Sequence, residues 1–183
     1  MFKKVFQKSW GPNCLTGLRC ILGVWIGVRL QEHMDLTLMT LFVCVILTDV
    51  LDGWWARSYH MTSKLGTVLD PLADKIMVIS VVFGLVKRGV IPKWFLYLTL
   101  IKEITLVFGG LYGMHKQLPL NALRWGKVAM FGQCLLLVLA MSRILYPWYH
   151  IGYEVYIGCV TAIMMIAWIT YLLRTKDMWH DKV

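Results

Sequence analysis

Apolar residues run through this chain in six blocks, approximately 12–30, 36–57, 66–86, 92–114, 124–145 and 151–173, separated by short polar stretches. Each block is long enough for a membrane-crossing helix, which needs about 20 predominantly apolar residues. The intervening loops are too short for another domain. Residues 1–183 therefore read as one all-α integral membrane domain of six transmembrane helices, with 1–11 as an amino-terminal interfacial helix, 12–173 as the bundle and 174–183 as a cytoplasmic tail. In MFKKVFQKSW, Met1, Phe2, Val5, Phe6 and Trp10 sit among three lysines, as in a helix lying in the membrane surface or, alternatively, a frayed basic tail. No cleavable signal peptide is expected, because Gly17, Gly23 and Gly27 lie inside the first block rather than at a cleavage site. Trp94, Tyr97, Tyr146, Trp148, Tyr149 and Tyr153 fall at block ends and read as interfacial anchors.

Composition narrows the class. With 58% hydrophobic and 16% charged residues, the chain is unlike a soluble domain, where about a quarter of residues are charged. Cys14, Cys20, Cys44, Cys134 and Cys159 stand singly in apolar stretches and read as small core hydrophobes, not as a disulfide or zinc framework. The net charge of +9 favours anionic lipid head groups. No soluble basic module for nucleic acid is present. An inside amino terminus puts Lys3, Lys4, Lys8, Arg57, Lys64, Lys116, Arg124, Lys127, Arg174, Lys176 and Lys182 on the cytoplasmic face, against Arg29, Lys87, Arg88, Lys93 and Arg143 outside. Cytoplasmic loops carry the excess of Lys and Arg, so both termini are assigned inside.

The anomaly is acidic. Asp49, Asp52, Asp70 and Asp74, four of the ten acidic residues, fall within 26 positions of membrane-entering helix. Ionisable groups in such segments face an interior cavity and imply function. Asp49, Asp52, Gly53 and Ala56 are spaced i, i+3, i+4, i+7, one stripe of the second helix; Gly66, Asp70 and Asp74 are spaced i, i+4, i+8, one stripe of the third. Successive helices on a short loop are expected to be antiparallel neighbours, so the stripes would face each other near the cytoplasmic ends. Four converging carboxylates repel unless neutralised. Arg57, Lys64 and Lys75 offer salt bridges, but all-oxygen donors without nearby Cys or clustered His suit hard ions such as Mg2+, Mn2+ or Ca2+. Four carboxylates point to two ions, an arrangement suited to phosphoryl chemistry. Gly53, Ala56 and Gly66 permit close helix packing or clear room for a ligand, and Arg57 is suited to a phosphate.

The segment DVLDGWWARSYHMTSKLGTVLDPLAD, residues 49–74, resembles the signature of the CDP-alcohol phosphatidyltransferase family, D-x2-D-G-x2-A-R-x8-G-x3-D-x3-D, at every fixed position and gap. PNCLTGLR, residues 12–19, is similar to the start of that family's first helix. The resemblance implies attack by an alcohol on the β-phosphorus of a CDP-linked lipid, usually CDP-diacylglycerol, with release of CMP. It implies that Asp49, Asp52, Asp70 and Asp74 hold two divalent cations (Mg2+ or Mn2+), that Asp74 is the general base, and that the CDP-lipid meets Asp52, Gly53, Ala56, Arg57, Gly66, Asn13 and Thr16. A homodimer is implied in the same way, while the size and the lack of a targeting extension fit a bacterial inner membrane, with a mitochondrial one as the alternative.

The acceptor is less defined. Lys102 and Glu103 resemble an Arg-Glu pair of phosphatidylglycerophosphate synthases, and Gly126, Lys127 and Gln133 the start of their fifth span. Ala129 and Met130 depart from the Lys and Thr usual there, and an Arg late in the fourth span is missing. The loop HKQLPLNALRWGK is similar to that of cardiolipin synthases of the same fold, whose acceptor is phosphatidylglycerol. Glycerol 3-phosphate is therefore the favoured acceptor, ahead of phosphatidylglycerol, inositol phosphate or serine. Arg19, Lys64, Lys75, Arg124 and Lys127 are candidate cations for it. Lys102 and Glu103, about 100° apart on a helix, are expected to take separate partners on other helices as a structural brace. His60 reads as a solvated loop residue. A small ion transporter, a prenyltransferase and a non-catalytic scaffold are the competing classes; the first wants repeated halves, the second acidic clusters farther apart, and the third leaves the four carboxylates unexplained.

Overall fold

A computed structural model describes the backbone of residues 2–58, 66–115, 124–146 and 151–180, and the side chains of 16–48, 72–113, 126–146 and 152–173. Its elements are α1 (Phe2–Glu32), α2 (Leu36–Ser58), α3 (Gly66–Lys87), α4 (Lys93–His115), α5 (Arg124–Leu145) and α6 (Ile151–His180). All six apolar blocks reappear as helices, four of them with nearly the expected bounds. Two bounds differ: α1 runs unbroken through the junction expected at residues 11–12, and α6 continues past 173 to His180. Pro12 removes one backbone donor, a gap that a helix in apolar surroundings tolerates.

Helix ends follow from local chemistry. Asp35 caps α2, its Oδ1 accepting from the Leu38 amide at 2.8 Å. After α3, Gly89 takes φ 72°. The Gly89 and Val90 amides then donate to the carbonyls of Val86 at 2.9 Å and Leu85 at 3.0 Å, closing the helix and turning the chain towards Pro92.

The chain divides into two compact units, residues 1–91 and 92–183. In the first, α1 packs along much of α3 and more briefly on α2. The α1–α3 seam is made of glycine. A Cβ on Gly23 would lie 2.5 Å from Met77 Cγ, one on Gly27 would lie 2.5 Å from the Ser80 carbonyl carbon, and one on Gly84 would lie 2.5 Å from the Gly27 carbonyl oxygen. Small residues let helices approach this closely where lipid supplies no hydrophobic drive. Partner numbers rise together along both helices, so α1 and α3 are parallel. The seam closes where the Arg88 guanidinium donates to the Leu30 carbonyl. Leu38, Phe42 and Val45 form the buried stripe of α2, spaced i, i+4, i+7.

In the second unit α5 and α6 pack as an antiparallel pair: Tyr156 donates to the Gly132 carbonyl at 3.2 Å, and Arg143 meets Glu154 at 3.3 Å. α4 joins through Gly109, where an added Cβ would lie 3.0 Å from Tyr171 Cε1. Tyr153 is buried, with the Arg143 guanidinium over its ring at 4.7 Å. Cys44 and Cys159 are exposed and Cys20 and Cys134 half-buried, so the lone cysteines described do not sit in the core. Lys93–Gly113, Gly126–Leu145 and Gly152–Leu173 are each long and apolar enough to cross a membrane; the described apolar part of α2, Leu36–Thr48, is shorter.

Candidate active site

The two motif stripes fall on helix as expected: α2 is helical through Ser58 and α3 from Gly66. Positions 49, 52 and 56 continue the row that buries Leu38, Phe42 and Val45. Positions 66, 70 and 74 lead into the α3 row of Met77, Val81 and Gly84 that meets α1. Among the described residues α1, and not a direct α2–α3 face, is the helix both rows share. A face-to-face α2–α3 pair was the expectation from the short loop; the glycine seam brings in α1 as a third wall.

Asp74 is the aspartate of the four whose side chain is described. Its Oδ1 accepts from Arg19 Nη1 of α1 at 3.4 Å. Arg19 is only 6% exposed and Thr16, one turn earlier, is buried as well. Sequence reasoning placed Thr16 with the CDP-lipid and Arg19 among the candidate cations for the acceptor, but it missed that Arg19 pairs with Asp74. The signal was present only in part: the i, i+4, i+8 run Arg19, Gly23, Gly27 marks a packed stripe, while the partner lies 55 positions away.

The side chains of Asn13, Asp49, Asp52, Gly53, Ala56, Arg57, Lys64, Gly66, Asp70 and Arg124 lie outside the described residues, as does His60. Lys127 is exposed at the start of α5. Among the described residues no group of three His, Cys, Asp or Glu side chains is placed to hold a metal ion. The donor set nevertheless fits a hard divalent ion: four aspartates at the fixed positions of the signature on α2 and α3, none of which is Cys or His, with Asp74 half-buried and ion-paired.

Lys102, Glu103 and Gln133 form a second polar cluster. Lys102 Nζ lies 2.6 Å from Glu103 Oε1 and donates to Gln133 Oε1 at 3.1 Å, while Gln133 Nε2 donates to Thr99 Oγ1 at 3.5 Å. The expectation that Lys102 and Glu103 would not pair directly is corrected. A lysine stem is long enough to bend round the 100° between neighbours, and burial leaves it no water to prefer. The bridge to Gln133 does tie α4 to α5, as a brace would.

Residues 10–173 match the family model described as CDP-alcohol phosphatidyltransferase. The CDP-diacylglycerol–glycerol-3-phosphate 3-phosphatidyltransferase of Mycoplasma pneumoniae is 32% identical over 145 residues, covering 68% of this chain and 63% of that protein. The enzyme of the same name from Aquifex aeolicus is 28% identical over 176 residues, 91% of this chain and 96% of its own length. A probable cardiolipin synthase (CMP-forming) of Drosophila melanogaster is 34% identical over 110 residues, 59% of this chain and 34% of that protein. The chain thus spans less than two thirds of the Mycoplasma and Drosophila relatives. With the eight-position signature on α2 and α3 and a family match over nearly all of its length, the chain belongs to the CDP-alcohol phosphatidyltransferase family.

Proposed function

We propose that this chain transfers a phosphatidyl group from CDP-diacylglycerol to an alcohol, foremost sn-glycerol 3-phosphate, releasing CMP in phospholipid synthesis. The observation that carries the reading is the complete signature carried by α2 and α3, two helices that both pack on α1, with Asp74 half-buried and paired to Arg19 of α1. Six crossings, a homodimer and a bacterial inner membrane with termini and site on the cytoplasmic side complete the proposal.

Asp49, Asp52, Asp70 and Asp74 would hold two divalent cations, which when bound neutralise the diphosphate and the departing phosphate. Arg57, one turn past Asp52 and Gly53, supplies directed donors to the nucleotide phosphate. Gly53, Ala56 and Gly66 leave space for the cytidine side of the ligand, with Asn13 and Thr16 lining it from α1. Asp74 takes the proton of the acceptor hydroxyl as its oxygen bonds to the β-phosphorus, and CMP leaves with the electron pair of the broken P–O bond. Lys64, Arg124 and Lys127 are the cations for a phosphorylated acceptor.

A second reading, phosphatidylglycerol as acceptor, is favoured by Ala129 and Met130. Buried Ala129 brings no cation to the start of α5, where glycerol-3-phosphate enzymes tend to carry Lys and Thr. Purified full-length protein given CDP-diacylglycerol with glycerol 3-phosphate, phosphatidylglycerol, inositol phosphate or serine in turn decides between them by CMP release. The expected result is release with glycerol 3-phosphate, lost on chelation, and at least a hundredfold slower in Asp74→Asn, since a general base contributes about 10²–10⁴ in rate, while CDP-lipid binding persists. Preference for phosphatidylglycerol moves the protein to the second reading. Undiminished release under exhaustive chelation, or a near wild-type rate in Asp74→Asn, overturns the mechanism.

A further inference from the structure

We propose that Arg19 is a positioning residue, fixing the Asp74 carboxylate from the α1 side rather than gripping the acceptor. The inference deepens the phosphatidyl-transfer reading and rests on it. Three observations carry it. The guanidinium is enclosed, at 6% exposure, and its Nη1 already lies 3.4 Å from Asp74 Oδ1. A cation meant for a water-soluble phosphate needs an open approach, as exposed Lys127 has. Last, the pair stands at one end of a seam whose register is set four times over, by Gly23 at Met77, Gly27 at Ser80, Gly84 at the Gly27 carbonyl and Arg88 at the Leu30 carbonyl. The close backbone approach along this seam, with the Arg88–Leu30 bond at its far end, sets the guanidinium at the depth of the carboxylate.

A buried cation persists where it has a partner, and the planar fork of arginine imposes direction on that partner as well as charge. Asp74 is asked to face bound cations and to receive a proton, tasks that tolerate misplacement of only about 0.5 Å. Holding such a group from behind affects the chemical step and leaves ground-state binding alone.

The test measures kcat, KM for each substrate and calorimetric CDP-diacylglycerol binding in wild type, Arg19→Met, Arg19→Lys and Asp74→Asn. Losing a supporting partner typically costs about 10–100-fold. Arg19→Met is therefore expected to lower kcat at least tenfold, with both KM values and lipid binding within about threefold of wild type, and Arg19→Lys to recover part of the loss. A rise in acceptor KM with kcat intact returns Arg19 to the acceptor, and unchanged kinetics make the pair inert; either overturns the proposal. If Arg19→Met does not yield folded protein, Arg19→Lys carries the decision, because it keeps the charge and loses the fork: reduced kcat at constant KM supports the proposal, unchanged kcat overturns it. Failure of the underlying reading has a different signature, an inactive wild type or a fully active Asp74→Asn.

Discussion

Lys102 and Glu103 place opposite charges in the interior of the second unit, at 6% and 9% exposure, together with Gln133 at 2%. Charges so enclosed are retained through mutual neutralisation and further hydrogen bonds, and removing one partner of a buried pair costs about 3–5 kcal/mol. Lys102→Met should therefore lower stability by several times more than a surface exchange, and Lys102→Met combined with Glu103→Met should recover part of that loss. Unfolding in detergent around a double-mutant cycle measures the coupling, expected at about 1 kcal/mol or more; simple additivity would show that the two residues do not act as a pair. The sequence places these charges in the middle of the fourth apolar block, but their direct bond depends on a rotamer, which spacing does not specify.

At the scale of elements, the seam between α1 and α3 offers an internal control. A Cβ at Gly27 collides with backbone, whereas Gly17 on the same helix has open space within 4 Å. Gly27→Ala should force the helices apart and cost about 1–3 kcal/mol, seen as a lower melting temperature of the detergent-solubilised protein. Gly17→Ala should be neutral or stabilising by up to about 1 kcal/mol, because alanine is the better helix former. Equal effects would mean that the seam does not bear on stability. The structure adds the local chemistry that ends the helices, the Asp35 cap and the turn at Gly89, but the helices themselves were legible from the apolar blocks. Which helices pair was not, because glycine at 23, 27 and 84 permits close approach without naming a neighbour. A short loop pointed to α2 against α3, and the contact that organises the described part of the unit is the parallel one across it.

For the whole molecule, α1 and α3 are parallel and the chain runs back through α2 in between, the order that the proposed successive crossings would produce. It puts Arg29, Lys87 and Arg88 at the end of the unit away from the aspartates. In a cysteine-free background, Lys87→Cys should react with an impermeant maleimide from outside intact cells, and Lys182→Cys only after permeabilisation; the reverse pattern inverts the proposed orientation. Chemical class was legible because the signature crowds eight fixed residues into 26 positions. Acceptor choice was not, because it rests on Ala129, Met130, Lys127 and other scattered positions whose meaning depends on what lies across from them. The interlocked glycines also bear on motion. Because α1 and α3 lie backbone to backbone along their shared length while α2 touches α1 only briefly among the described residues, a rearrangement within the first unit would be expected to move α2 against a joined α1–α3 pair.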